Sequence, residues 1–288
     1  MNVAYSPADL SADARAVAIG TFDGVHRGHR RVIDAALAAG PTPTVVTFDP
    51  HPRIALGNQV ELLTTLERRL ELFEALGVAD TLVIEFTPDT ARLEPEEFVD
   101  SVLRPIGTQV LVAGENFRFG RARTGDLDLL AMLGLDVRPV PLVEHVSSTQ
   151  LRHLLRAGEI ERAAALLGRP PELDGTVVTG DARGGTLGFP TANLSVDPQL
   201  LVPAYGIYAG AVGKTRAAIS IGTNPHYGGD ERRIEAFLLD FEGDLYGRRL
   251  VVELWKRLRG ERAFESEQDL IDQIALDVDE TRSAERPT

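Results

Sequence analysis

Residues 16–29 pass from an interior strand to a helix across one glycine-rich turn. The run Ala16-Val17-Ala18-Ile19 has the apolar continuity of a strand covered on both faces. It stops at Gly20-Thr21-Phe22-Asp23-Gly24-Val25-His26-Arg27-Gly28-His29, and a helical pattern follows from Arg31 to Ala39. A strand that ends at glycines and becomes a helix leaves backbone N–H groups at the helix start, which is an anion site. His26 and His29 are three apart and can share one face of the new helix. Gly28 between them lets a ligand approach the backbone.

The same grammar continues along the first half. Thr44–Phe48, Thr81–Phe86, Val110–Gly114 and Val137–Val143 read as four more strands. Between them, Thr65–Leu76 reads as an amphipathic helix with Leu66, Leu70, Phe73 and Leu76 on one face. Glu96–Leu103 is helical after Pro95, and Arg121–Asp126 is a polar loop. Strands alternating with helices imply a parallel sheet. Ligands of such sheets sit outside the carboxyl ends of the strands. Three of those ends carry unusual polar sets, Gly20–His29, Asp49–His51 and Gly114–Phe119, which are expected to converge on one crevice.

Ser147-Ser148-Thr149 then gives an N-cap signal for a helix ended by Gly158, and a second short helix runs from Glu159 to Leu167. Arg169-Pro170-Pro171 is the expected boundary, dividing the chain into 1–168 and 169–288. Beyond it lie six β-like runs without helices between them: Gly175–Thr179, Ala192–Val196, Gly206–Val212, Arg216–Ile221, Ile234–Phe241 and Arg249–Trp255. Such a series predicts a closed barrel. A closing helix is expected over Glu265–Val278, with Ser283–Thr288 frayed.

Composition removes several classes. The chain has no cysteine, hence neither disulfides nor thiolate metal sites, and it suits the cytoplasm. Up to residue 170 there are 17 basic against 23 acidic residues, and beyond it 13 against 20. Neither half offers the broad basic face that nucleic acid requires. No apolar run has the length of a membrane span, and the N-terminal stretch has no signal-peptide core. Gly213-Lys214-Thr215 imitates the end of a phosphate loop, but position 208 is Tyr where that loop needs Gly. The six histidines show no zinc spacing.

Five segments in order carry a family resemblance. Thr21-Phe22-Asp23-Gly24-Val25-His26-Arg27-Gly28-His29 resembles the His-x-Gly-His signature of nucleotidyltransferases. Thr47-Phe48-Asp49-Pro50-His51-Pro52, Gly114-Glu115-Asn116-Phe117-Arg118-Phe119-Gly120 and Ser147-Ser148-Thr149-Gln150-Leu151-Arg152 follow, and then Gly188-Phe189-Pro190-Thr191-Ala192-Asn193-Leu194. Together they resemble the bacterial bifunctional riboflavin kinase/FAD synthetase family, from about Val17 to Arg282. The resemblance implies a Rossmann-like FMN adenylyltransferase domain over 1–168. A small six-stranded β-barrel riboflavin kinase domain with a C-terminal helix would span 169–288.

In the first domain the resemblance implies that the FMN phosphate attacks the α-phosphorus of ATP and releases pyrophosphate, giving FAD. His26 and His29 would stabilise the ATP phosphates, with Gly20, Phe22, Asp23, Gly24 and Gly28 forming the binding turn. Asn116 would orient phosphates or metal, and Ser148, Thr149 and Arg152 would close on the triphosphate. In the second domain riboflavin and ATP would give FMN. Gly180, Gly185 and Thr186 belong to a glycine-rich loop, and the oxygen donors Thr191 and Asn193 suit Mg²⁺. Glu235 shares a period-2 face with Phe237, Leu239 and Phe241, where a carboxylate needs a reason. The resemblance supplies one: Glu235 is the general base for the riboflavin hydroxyl. His145 and His226 depart from the family pattern, at positions where relatives often carry Arg and Thr.

The expected partners are therefore riboflavin, FMN, FAD and ATP, with no nucleic acid or membrane and the oligomeric state open. Two alternatives stand beside this reading: an adenylyltransferase whose barrel only binds flavin, and a non-enzymatic flavin carrier.

Overall fold

The computed structural model describes residues 1–180, 188–224 and 229–288. The chain forms two compact units, residues 1–61 with 66–147, and residues 62–65 with 148–288.

The first unit is a six-stranded sheet of β1 (Asn2–Ala4), β2 (Arg15–Ile19), β3 (Thr42–Asp49), β4 (Asp80–Glu85), β5 (Thr108–Gly114) and β6 (Asp136–Val140). The order is β1-β4-β3-β2-β5-β6, and every pairing is parallel. Five strands were expected. The sixth, β1, is a three-residue edge strand in a segment too short for periodicity to show.

All five residues of β2 are buried, as the continuous apolar run requires. Its alternate residues feed two core layers. Ala16 and Ala18 pack with Val32, Ile33 and Ala36 of α1 (Arg27–Leu37) and with Phe73 of α3 (Leu66–Ala75); α2 is the single turn Pro52–Ala55. Val17 and Ile19 pack on the other face with Phe98, Val99 and Leu103. Of these, Phe98 ends α4 (Pro95–Phe98), and a π turn over Val99–Leu103 follows where one helix was expected. The sheet side is completed by α5 (Leu127–Met132).

From β2 the chain moves outward through β3 to β4, then crosses to β5 on the far side of β2. The point where strand order reverses lies between β2 and β5, and it is at the carboxyl edge of such a point that parallel sheets bind their ligands. The ends of β3, β2 and β5 are adjacent on that edge, so the three polar sets do adjoin.

The second unit is a closed antiparallel barrel in the order β10-β11-β8-β7-β12-β9. Its strands are β7 (Glu172–Val178), β8 (Ala192–Val196), β9 (Gly206–Val212), β10 (Thr215–Asn224), β11 (Gly229–Leu238) and β12 (Arg249–Arg259). Two helices, α6 (Ser148–Ala157) and α7 (Ile160–Leu167), share its core: Leu151, Leu154, Leu155, Ile160 and Leu167 cluster with Leu173, Tyr208, Ile219 and Leu254. By packing, then, these helices go with the barrel, although the chemistry expected of Ser148–Arg152 belongs to the first site.

The closing helix α8 spans Glu267–Ser283, capped by Ser266, whose hydroxyl accepts the Asp269 N–H at 3.1 Å. The chain after it is tied down rather than frayed. Arg216 donates to the carbonyls of Thr281 and Ala284, and Arg286 pairs with Glu253 at 2.7 Å. The sequence could not show this, because both anchors come from distant strands.

Candidate active sites

The turn after β2 is built under strain. Phe22 and Val25 have φ of 51° and 41°, and Gly24 has 86°. A β-branched residue in the left-handed region costs on the order of 1–3 kcal/mol and persists only where its surroundings fix it. The far end of the turn is fixed by a cap. α1 begins at Arg27, four residues earlier than the sequence pattern placed it, so His26 is the N-cap. Its Nδ1 accepts the His29 N–H at 3.2 Å. A neutral His26 therefore carries its proton on Nε2. The imidazoles of His26 and His29 stack with centroids 3.5 Å apart and planes 17° off parallel.

Gly28 leaves room for this stack as well as for ligand approach, since a Cβ there would lie 3.2 Å from two atoms of the His26 ring. The Phe22 ring meets His29 edge-on at 5.4 Å and Phe73 at 5.7 Å. Gly20 leaves room for it, since a Cβ there would lie 3.2 Å from the ring. Asp23 is buried. Asn116 is exposed beyond β5, in a turn closed by Phe117 N–H to Gly114 O at 2.8 Å. His51 caps α2 by accepting the Arg53 N–H at 3.1 Å.

Sequence reasoning missed Arg69. It lies on α3, is 2% exposed, and donates through Nη1 to Thr21 O at 2.7 Å and Phe48 O at 3.3 Å. Nη2 reaches Asp49 Oδ1 at 3.4 Å. Burial pulls its pKa below the ordinary arginine value, against Asp23 and Asp49, which push it up. The signal was present: Arg69 falls at helical spacing between Leu66 and Phe73, on the apolar stripe.

In the second unit α6 starts at Ser148, which places Ser148 and Thr149 in the first turn as expected. Arg152 is 8% exposed, so it is not a solvated surface arginine.

On the barrel, Thr191 Oγ1 donates to Glu235 Oε2 at 3.0 Å. Asn193 on β8 is the direct cross-strand partner of Glu235 on β11, so their side chains leave the sheet on one face. Asn193 lies against Gly180, where a Cβ would sit 2.1 Å from its Nδ2. Phe189 meets Phe237 edge-on at 5.5 Å beside this set. The face itself corrects an expectation. Ile234, Ala236 and Leu238 fill the barrel core, so Glu235 and Phe237 stand on the half-exposed outer face rather than an apolar one. Gly185, Thr186 and His226 lie outside the described residues. A separate cavity of about 470 Å³ at the β12–α8 connection is lined by Arg262, Phe264, Glu265, Asp269, Asp272 and Gln273, none of them a predicted site residue.

A strained strand-to-helix turn bearing paired imidazoles, and a carboxylate set among hydroxyl and amide oxygens on a barrel, define the class. This is a transferase with two centres for phosphoryl chemistry. Residues 9–151 match the FAD synthetase family and residues 167–284 match the riboflavin kinase family. The bifunctional riboflavin kinase/FMN adenylyltransferase of Listeria monocytogenes is 36% identical, covering 93% of this chain and 92% of its own length. The enzyme of the same description from Bacillus subtilis is 35% identical over 92% and 90%. A solved structure titled macrolide-efflux protein, from Streptococcus pneumoniae, superposes with a TM-score of 0.88 at 31% identity, covering 98% of this chain and 99% of that one. Its title names another activity, and its contribution here is the fold. Among the described residues no helix is long and apolar enough to cross a membrane. The chain belongs to the bifunctional riboflavin kinase/FMN adenylyltransferase family, the enzymes of flavin cofactor biosynthesis.

Proposed function

We propose that the chain phosphorylates riboflavin to FMN on the barrel and adenylylates FMN to FAD on the parallel sheet, with functional domains 1–168 and 169–288. One observation carries the reading: each half holds its own polar constellation, the stacked His26–His29 pair and the Thr191–Glu235 hydrogen bond.

On the barrel, Glu235 takes the proton of the riboflavin 5′-hydroxyl as that oxygen attacks the γ-phosphorus of ATP, and the bond from that phosphorus to the β,γ-bridging oxygen breaks to release ADP. Thr191 orients the carboxylate. Thr191 and Asn193 fit Mg²⁺, since both offer neutral oxygen and Gly180 keeps the space that the Asn193 amide occupies. The ion, when bound, supplies positive charge that neutralises the nucleotide phosphates. Gly180, Gly185 and Thr186, members of one glycine-rich stretch of sequence, are nucleotide-binding residues in this reading.

On the sheet, the FMN phosphate attacks the α-phosphorus of ATP and pyrophosphate leaves. His26 donates from Nε2 to a phosphate oxygen, and His29 does the same beside it, so charge growing in the transition state meets donors fixed beforehand. Gly20, Phe22, Asp23, Gly24 and Gly28 shape the turn that receives the phosphates. Asn116 orients them, and Ser148, Thr149 and Arg152 are triphosphate ligands. Both reactions draw on cytoplasmic ATP and flavins. The acidic balance of both halves favours solubility and offers no broad basic face for nucleic acid.

Incubating the purified chain with riboflavin, ATP and Mg²⁺ and separating the flavins tests this. FMN followed by FAD is the expected result. Adenylylation of added FMN without any phosphorylation of riboflavin would instead mark a single-activity enzyme. Turnover of neither substrate would leave a flavin carrier.

A further inference from the structure

We propose that Arg69 is a positioning residue of the adenylyl-transfer site, tying the end of β2 to the end of β3 and so holding the turn that carries His26 and His29. The proposal rests on the adenylyltransferase reading above.

The turn from Phe22 to Val25 has three residues in the left-handed region and must be held at both ends. The His26 cap on α1 holds the far end. At the near end Thr21 O accepts two hydrogen bonds, from Arg69 Nη1 at 2.7 Å and from Thr47 Oγ1 at 3.2 Å. The same guanidinium reaches Phe48 O and Asp49 Oδ1, where the second predicted strand end begins. One rigid group therefore spans two of the three adjacent strand ends that carry the predicted polar sets. Four residues further along α3, Phe73 supports the Phe22 ring, which also meets His29. The helix thus braces the turn twice, by hydrogen bonds and by packing.

A leucine would suit the stripe between Leu66 and Phe73 at no desolvation cost. Arginine there puts a charge in the core, and its Nε has no hydrogen-bond partner among the described residues. Its distinctive capability is the planar fork that reaches several acceptors at once, which a lysine ammonium cannot copy. Arg69 acts through the backbone of the turn and is not assigned a contact with substrate.

The test is Arg69→Lys, with both reactions measured on one preparation. Riboflavin phosphorylation serves as the control for an intact protein. The expected result is a fall of about fiftyfold in kcat for FMN adenylylation, with KM for ATP and for FMN within about threefold of wild type. Guanidinium ion at millimolar concentration should restore about tenfold of the loss in Arg69→Ala, because it refills the fork. A kcat within about threefold of wild type, or a loss confined to KM for ATP, overturns the proposal. If the Arg69 variants fail to fold, Thr47→Val decides. It removes the second bond to the same carbonyl, with a fall of about fivefold in kcat expected and an unchanged kcat overturning the proposal. A wild-type protein that makes no FAD from FMN and ATP sinks the adenylyltransferase reading itself. Variants that match an active wild type sink only the role of Arg69.

Discussion

Thr191, the residue before β8, donates its hydroxyl to Glu235 of the neighbouring β11 at 3.0 Å. The bond fixes one carboxylate oxygen, and in the proposed reaction the other takes the proton of the riboflavin hydroxyl. Glu235→Gln keeps the shape and removes the base. FMN formation should fall by about 10²–10⁴, the usual contribution of a general base, while FAD formation from supplied FMN persists. Chromatography of the flavins made from riboflavin and from FMN checks both halves of the claim. Equal loss of the two activities in a folded variant would contradict the two-site scheme.

The His26 side chain has two separable duties. As N-cap it holds α1, and in the proposed reaction its imidazole meets the ATP phosphates. Asn is as good a cap as any residue, so His26→Asn should unfold at the wild-type denaturant midpoint yet lose FAD formation by about 10²-fold. His26→Ala should lose the same activity and about 1 kcal/mol of stability besides. Denaturant titration beside the FAD assay separates the two effects.

Gly180 is required by a neighbour. A Cβ at this position would lie 2.1 Å from Asn193 Nδ2. Gly180→Ala must therefore displace the Asn193 amide. The Mg²⁺ concentration for half-maximal riboflavin phosphorylation should rise by about tenfold. Adenylylation of FMN should not change. A Mg²⁺ titration of each reaction provides the comparison.

Tyr208 is fully buried on β9, its hydroxyl donating to the Ala204 carbonyl. Burial raises its pKa from 10.0 to about 12, with Arg257 working in the opposite direction. The folded state holds this proton more tightly than the unfolded chain does. The stability it contributes is therefore complete below pH 10 and is lost as pH rises towards 12. Tyr208→Phe should flatten that part of the pH–stability curve. Denaturant midpoints measured from about pH 9 to about pH 11.5 would show it, and an unchanged slope would refute it.

Much of both candidate sites could be proposed from sequence because local chemistry marks them. A glycine-rich break between an apolar strand and a helix marks the first turn, and Thr191-Ala192-Asn193 marks the second. The face of Glu235 was misread because period 2 assigns residues to alternate faces without saying which face is the core. Ile234, Ala236 and Leu238 could claim the interior only once the barrel closed. Arg69 was passed over because a lone arginine in an amphipathic helix ordinarily snorkels to water. Its burial depends on Thr21 and Phe48, carbonyls at two strand ends that the sheet sets side by side.

By itself the sequence determined the two kinds of architecture, since strand and helix periodicity is local and survives without knowledge of partners. It also determined which residue types are available for chemistry at each strand end. Tertiary structure alone decided the β1 edge strand, the anchored C-terminus and the packing of α6 and α7 with the barrel, because each depends on groups far apart in the chain. It decided too what holds the strained turn after β2. The positive φ of Val25 is sustained by a cap in α1 and by an arginine from α3, and no local pattern records a strain that distant residues must bear.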